Sequence, residues 1–394
     1  RAPVLAPDEG FSYDCGLASG ERFGGVAGQH WEACVLEGSA SMADKKLKVG
    51  VIGVGSIAQV CHLDAWKELE AKGAVEITAV CDIIPERVDM VSKKWDVPKT
   101  YTNYKTMLKQ GDFDIIDVCT QNRLHSSISV DALNAGAHVL CEKPMAMNAK
   151  ECEAMIAAAK QSKRKLMVAQ NMRFEAGNER IKAMIERGDL GEIYFGEARY
   201  LRRRGIPGWG KFHIKRESAG GPLIDIGVHM LDLIIWLMGC PKPVSATGHV
   251  SRKFGDREGL CNGEWGVPYP LKEFDVEDHA AAFIRFDNGV ALSLEVSWAA
   301  NIPKDVQGLR ILGDKAGVST EPLTVTSAAD GALTSMQYDW LPEQEGHRME
   351  ILHFAGCVRD GLPVRVKPQE SLRIQQILDA IYESSKRGKE VAIK

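Results

Sequence analysis

The stretch Lys48-Val49-Gly50-Val51-Ile52-Gly53-Val54-Gly55-Ser56-Ile57-Ala58 is the most informative part of the chain. It reads as a short apolar strand, a tight turn and the start of a helix. Gly53 and Gly55 stand at the first two glycine positions of a dinucleotide-binding fingerprint, with Ala58 in the third. The reason is steric. Gly53 permits the turn, Gly55 lets the main chain touch a pyrophosphate, and a small side chain at 58 lets helix lie close on strand. The helix start at Ser56 and Ile57 then offers free N–H groups and a positive dipole end to phosphates. Alone, the glycine pattern is weak evidence; its context adds weight. The next apolar run, Val75–Cys81, ends in Asp82, 24 residues beyond Ala58. A carboxylate there accepts hydrogen bonds from a ribose diol and repels a 2′-phosphate. Ile83 and Ile84 follow it, and Arg87 is five residues on. NAD is therefore expected over NADP. The alternative reading of Asp82 is a helix cap or turn residue.

Outward from this unit, short runs rich in Val and Ile alternate with helix-period segments up to about residue 170. The runs are Leu47–Ile52, Val75–Cys81, Phe113–Cys119, His138–Cys141 and Leu166–Ala169. They lack polar alternation, as strands covered on both faces do. Helices are expected at 86–94, 103–110, 124–135 and 148–162, with Asn148 and Glu151 as reciprocal caps of the last. This repetition implies a parallel sheet with right-handed crossovers. After 172 the pattern changes to a helix over 176–187 and long strands at 191–204, 243–252, 277–286 and 290–299. Asp287-Asn288-Gly289 reads as a hairpin turn. Val306–Leu312 and Val318–Thr326 continue the sheet, 254–274 reads as a long loop, and helices near 343–360 and 369–386 follow. The expected fold class is α/β: a nucleotide-binding doubly wound parallel sheet over 42–170, then an α+β domain over 171–394 with a large, mostly antiparallel open sheet.

The chain has 394 residues, ample for two domains at about 150 residues each. Its formal charge is −4. Residues 1–41 carry all of it, with six acids against Arg1 and Arg22. They lack lysine and any sustained period, and read as a disordered or upstream extension; an interaction arm is the alternative. The remainder is balanced, so neither nucleic acid nor an anionic membrane is expected as partner. Leu223–Met238 is the most apolar stretch, too short and too polar to span a bilayer. Ten cysteines show no C-x-x-C pair, and three end apolar runs. That is the pattern of buried free thiols, and a cytoplasmic location is expected.

Two further segments carry chemistry. Cys141-Glu142-Lys143-Pro144 closes an expected strand, which points Lys143 into a cleft where its ammonium polarises an alcohol or carbonyl oxygen. A solvated loop charge is the alternative. Asp225 and His229, in Gly221-Pro222-Leu223-Ile224-Asp225-Ile226-Gly227-Val228-His229, stand at i and i+4 of an expected helix. Asp225 so placed fixes the imidazole tautomer and makes His229 a general base; a structural His–Asp pair is the alternative. No third ligand of suitable type lies close in the sequence, so no metal is expected. Thr120, Asn122 and His125 follow another strand and line a cofactor crevice or, for Asn122, cap the next helix.

Taken in order, Gly53-x-Gly55-x-x-Ala58, Glu142-Lys143-Pro144 and Asp225-x-x-x-His229 make the chain from about 42 onward resemble the Gfo/Idh/MocA oxidoreductases, which include glucose–fructose oxidoreductase and inositol 2-dehydrogenase. The resemblance implies a Rossmann domain and a second domain whose open sheet mediates homo-oligomers (dimer, tetramer or hexamer). It implies cofactor contacts that include Glu142 and Lys143, and an active site lined by Lys143, Asp225 and His229. Gln121 departs from the proline common at that position in the family. The resemblance also implies oxidation of a secondary ring hydroxyl in a sugar, glycoside or cyclitol, C3 of a glucoside being one specific position. Asn171, Arg173, Arg202, Trp209 and His213, with Asp225 and His229, are the candidate substrate contacts. The loop Arg202–Lys215, with Arg203, Arg204 and Phe212, is alternatively a solvated basic loop or subunit contact. Other readings are an NAD-dependent glycosidase working through transient oxidation, a non-catalytic NAD-sensing protein, and a reductase of an apolar substrate on the same fold.

Overall fold

The computed structural model describes residues 46–259 and 269–393. The reading of 1–41 as an extension and the tip of the 254–274 loop lie outside those residues. Six parallel strands form the first sheet: β1 (Leu47–Ile52), β2 (Val75–Cys81), β3 (Lys99–Tyr101), β4 (Ile115–Val118), β5 (His138–Glu142) and β6 (Leu166–Ala169). Their spatial order is β3-β2-β1-β4-β5-β6. The order reverses between β1 and β4, so a crevice opens there, outside the carboxyl ends of the strands. Val49, Val51, Ile115, Ile116, Val139 and Leu140 are fully buried, as apolar runs covered on both faces require. β3 is a correction to the sequence reading. Only three residues long and mostly exposed, it carries too little apolar pattern to be seen. At the helix Ala149–Ser162, Asn148 accepts from the Glu151 N–H (3.1 Å), while the Glu151 carboxylate reaches the Met147 N–H (3.2 Å), one residue upstream of the expected partner.

The second sheet has nine strands: β7 (Ile193–Leu201), β8 (Pro243–Ser251), β9 (His279–Phe286), β10 (Ala291–Ser297), β11 (Val306–Gly313), β12 (Ala316–Thr320), β13 (Leu323–Ala329), β14 (Ala332–Gln337) and β15 (Val391–Ala392). They lie in the order β14-β13-β12-β11-β7-β10-β9-β8-β15. Only β7 and β10 pair in parallel. The β9–β10 hairpin turns through Gly289 at φ +84°, a left-handed conformation that glycine adopts without strain. The expected strand 318–326 is two antiparallel strands, β12 and β13, because Glu321-Pro322 breaks the run; β14 then extends the meander. Pro322 has no N–H for a ladder, which is why the chain turns there. Among the described residues, one helical run is long and apolar enough to cross a membrane, Lys215–Leu237, and it is mostly buried inside the fold against this sheet.

The helices Gly346–Asp360 and Pro368–Arg387 pack back onto the first half of the chain, and the second of them also onto β8. One buried ion-pair cluster fastens this junction. Arg173, 1% exposed, donates to both oxygens of Asp232 (2.7 and 2.6 Å) and to Glu370 (2.6 Å). It was expected to contact substrate; its forked guanidinium is instead consumed by two carboxylates on different helices. Removing one partner of such a pair leaves a buried charge uncompensated. Arg173→Leu should therefore lower unfolding free energy by about 3–5 kcal/mol in chemical denaturation. Wild-type stability in that variant would contradict the assignment.

Candidate active site

Gly53 has φ +88°, and a Cβ there would lie 2.7 Å from the main chain of Cys119, so only glycine lets β1 turn beside β4. At Gly55 a Cβ would meet nothing within 4 Å. The main chain there borders open space at the helix start formed by Ser56 and Ile57, while Ala58 is fully buried. This cradle fits a dinucleotide pyrophosphate. Asp82 closes β2 and accepts from the Val54 N–H (3.1 Å) and the Ile84 N–H (3.1 Å), so it braces the glycine turn itself. Arg87 reaches back to its carboxylate at 3.1 Å. The sequence reading noted Arg87 only as distant; the first turn of the helix brings it back.

The other expected cofactor residues divide. The Thr120 hydroxyl is buried and unpartnered at the crevice, beside Gly53. Asn122 opens the helix Asn122–Asn134, whose N-cap position is taken by Gln121, so its expected role as cap is corrected; its side-chain amide donates to the Ser218 carbonyl (2.8 Å) and ties the two halves together. His125 is buried with its ring nitrogens 2.7 and 3.0 Å from the Pro144 and Thr120 carbonyls, so it holds the loop after β5 rather than offering a free donor. Glu142 is also buried. It accepts from the Lys143 N–H (3.0 Å) and pairs with the His62 ring (2.9 Å).

His62 and its neighbours were missed in the sequence. The ring lies in a π-helical turn, Ala58–His62, and its other nitrogen is 2.8 Å from Asp117 of β4. Trp66 Nε1 donates to the same Asp117 oxygen (2.7 Å). Burial opposes charge on the imidazole, yet the Asp117 carboxylate beside it raises the His62 pKa well above its ordinary value. The His62 contact in turn holds Glu142 at about 2, against the upward push of burial. A single His after a glycine loop gives no periodic signal, so only the fold reveals this network.

Lys143 and Asp225 meet directly. The Lys143 ammonium donates to the Asp225 carboxylate (3.1 Å) and to the Asp225 carbonyl (2.9 Å). The second Asp225 oxygen accepts from Trp298 Nε1 (3.0 Å), beyond the end of β10. The expected Asp225–His229 pairing is corrected. Leu223–Gly227 is a π-helix, whose wider turn takes residues four apart out of alignment. Both Asp225 oxygens are taken by Lys143 and Trp298, and the buried Nδ1 of His229 has no partner. Burial first, then the nearby Lys143 ammonium, push the His229 pKa down to about 3. The imidazole is thus a neutral base beside a cation. Glu277 sets this helix in place by accepting from the Gly221 and Leu223 N–H groups (2.9 and 3.2 Å) and from Tyr382 (2.7 Å).

Of the substrate candidates, Asn171 leaves its buried Oδ1 unpartnered, with its Nδ2 3.4 Å from His347. His347 is half-buried and lies close to His229 and Glu142, so it is a further missed member of the site. Arg202 donates to the Gly205 carbonyl (3.2 Å) and bears on Asp225. Phe212 packs edge-on against Trp298 (6.4 Å between centroids) and His213 stacks on Tyr269 (4.6 Å), so the Arg202–Lys215 loop approaches the Asp225 end of the site. Trp209 is part-exposed, whereas Lys215 turns away onto the Tyr382 ring. Filling the cradle should separate folding from binding. Gly55→Leu is expected to melt like the wild type yet lose measurable NAD+ binding in calorimetry; retained affinity would place the dinucleotide elsewhere.

Family comparison agrees with this geometry. Residues 47–170 match the GFO_IDH_MocA model, described as the NAD-binding Rossmann fold of an oxidoreductase family, and residues 182–393 match its C-terminal alpha/beta domain. The chain is 32% identical to D-glucoside 3-dehydrogenase of Escherichia coli K12, over 90% of this chain and 99% of that protein. It is 28% identical to inositol 2-dehydrogenase of Salmonella typhimurium LT2, over 49% and 54% of the two chains. The solved structure of levoglucosan dehydrogenase in complex with NADH has the same fold, at TM-score 0.76 and 23% identity, covering 89% of this chain and 100% of that one. With both halves matched in order, the chain belongs to the Gfo/Idh/MocA family of oxidoreductases.

Proposed function

We propose that this protein is an NAD-dependent dehydrogenase that oxidises a secondary ring hydroxyl of a sugar or cyclitol, with C3 of a D-glucoside as the preferred position. The observation that carries this reading is a fixed ammonium, Lys143 held on Asp225, beside the buried ring of His229 whose Nδ1 has no partner, at the mouth of a dinucleotide crevice. The relative at 32% identity, a D-glucoside 3-dehydrogenase, supports the substrate class. Residues 42–170 hold the cofactor and 171–394 the substrate.

NAD+ supplies a hydride acceptor at C4 of its nicotinamide when bound. Gly53, Gly55, Thr120 and Asp82 hold it. Lys143 donates a hydrogen bond to the substrate hydroxyl oxygen and stabilises the alkoxide character that develops as the C–H bond breaks. His229 takes the hydroxyl proton. Asp225 aims Lys143, and Trp298 aims Asp225. Asn171, His347, Arg202 and Trp209 surround the remaining hydroxyls.

We also propose a homo-oligomer built on the nine-stranded sheet. Ala291, Ser293 and Glu295 leave one face of β10 half-exposed, and the edge strand β14 exposes Leu333 and Met336. The seven cysteines among the described residues are all free, which suits a reducing cytoplasm.

A panel of methyl glucosides, free sugars and inositols tests the activity by NADH absorbance at ~340 nm. A glucoside should react with NAD+ better than myo-inositol; reduction with no member of the panel contradicts the proposal. Lys143→Met should lower kcat by about 10²–10⁴-fold while NAD+ affinity changes little. Because His229 is already neutral well below pH 7, kcat/KM should show no acid limb near the ordinary histidine value of about 6.5. A limb there that vanishes in His229→Ala would contradict the assignment of a neutral base.

A further inference from the structure

Beside Glu142, on the helix Gly346–Asp360, lies Glu350. It is fully buried, and neither of its carboxylate oxygens has a hydrogen-bond partner. One Glu350 oxygen, one Glu142 oxygen and one His62 ring nitrogen lie within 4.8 Å of each other. The mechanism above does not use this acid. An ionised carboxylate buried without a donor is strongly disfavoured, and another carboxylate alongside makes it worse. Glu142 from β5, His62 from the π-turn, Asp117 from β4 and Asp232 from the helix Val228–Leu237 are the charged groups that face it. Burial first, and then the Glu142 charge, raise the Glu350 pKa well above the carboxylate range.

The charges from Glu350 out to Lys143 give the reason a proton belongs there. Asp117, Glu142, Asp225 and Asp232 are the anions; His62, Lys143, Arg202 and Arg173 are the cations paired with or facing them. With Glu350 neutral, the cluster balances. A cationic ring brought to the same crevice breaks that balance, and the un-ionised acid is the group able to restore it.

We propose that Glu350 is the proton-holding residue of this site: it carries a proton while the crevice lacks a cationic ring and releases it to solvent when oxidised nicotinamide enters the crevice. The inference rests on the NAD reading given under Proposed function. Only the carboxylic O–H bond breaks; no electrons move. When hydride transfer removes the ring's charge, Glu350 takes a proton back. His229 and His347 are held below the ordinary histidine value by burial, so near neutral pH they have no proton to give. His62 and Lys143 are the cationic groups of the cluster that could also titrate, and a Glu350 variant separates them from Glu350.

Calorimetric titration of the whole protein at one pH, in phosphate and in Tris, counts the protons released on cofactor binding. NAD+ and NADH share the pyrophosphate, so the difference between them reports the ring charge. Wild-type protein should release more protons with NAD+ than with NADH, by up to one per site. Glu350→Gln should bind both and lose that difference. No difference in the wild type, or the same difference in Glu350→Gln, overturns the proposal. Failure of either dinucleotide to bind the wild type overturns the NAD reading as well. Infrared difference spectra of unmutated protein give a second measure: the protonated-carboxyl band should disappear when NAD+ replaces NADH, and its persistence contradicts the assignment.

Discussion

The Lys143 ammonium has two fixed acceptors, and Asp225 supplies both of them from 82 residues away. This contact crosses from the end of the parallel sheet to the helix that lies on the nine-stranded sheet. It therefore does two things at once. It joins the two halves of the chain at the crevice, and it sets the direction in which the ammonium points. A buried ion pair is stable only when its remaining hydrogen-bonding capacity is met. Here the second Asp225 oxygen is met by Trp298 Nε1 at 3.0 Å, so an indole beyond the end of β10 takes part in aiming a lysine beyond the end of β5.

The same logic runs the other way from Lys143. Its N–H is held by Glu142, Glu142 by His62, and His62 by Asp117, which also takes the Trp66 indole. The chain of contacts thus runs from Trp66 to Trp298 through the loop after β5. Burial would ordinarily push Asp225 towards protonation; the Lys143 charge, followed by that of Arg202, outweighs it and keeps the group ionised. The imidazole of His229 feels the opposite pressure, because burial and the ammonium both disfavour its charged form. One lysine therefore keeps an acid charged and a base uncharged, which is the division of labour that removal of a hydroxyl proton needs.

Much of this was legible in the residues. Uniform apolar runs gave the buried parallel strands, and Gly53 with Asp82 identified the nucleotide end, because steric and charge requirements there act within one βαβ unit. Legibility failed where a tertiary contact outranked the local pattern. Asp225 and His229 have α-helical spacing, but the π-turn removes their alignment and the carboxylate turns to Lys143. Arg173 looked like a free guanidinium after a strand, but its partners Asp232 and Glu370 lie 59 and 197 residues on. His62, Glu350 and His347 belong to no periodic pattern; helices that return from the far end of the sequence bring the last two to the crevice.

Whether ammonium and imidazole address one substrate oxygen can be read from a crystal structure of the protein with NADH and an unreactive glucoside analogue. Lys143 Nζ and a ring nitrogen of His229 should both lie within about 2.6–3.2 Å of the same ring hydroxyl, whose carbon should face C4 of the nicotinamide. A sugar oxygen bound by only one of the two, or a sugar seated on the far side of the Lys143–Asp225 pair, would contradict that shared role.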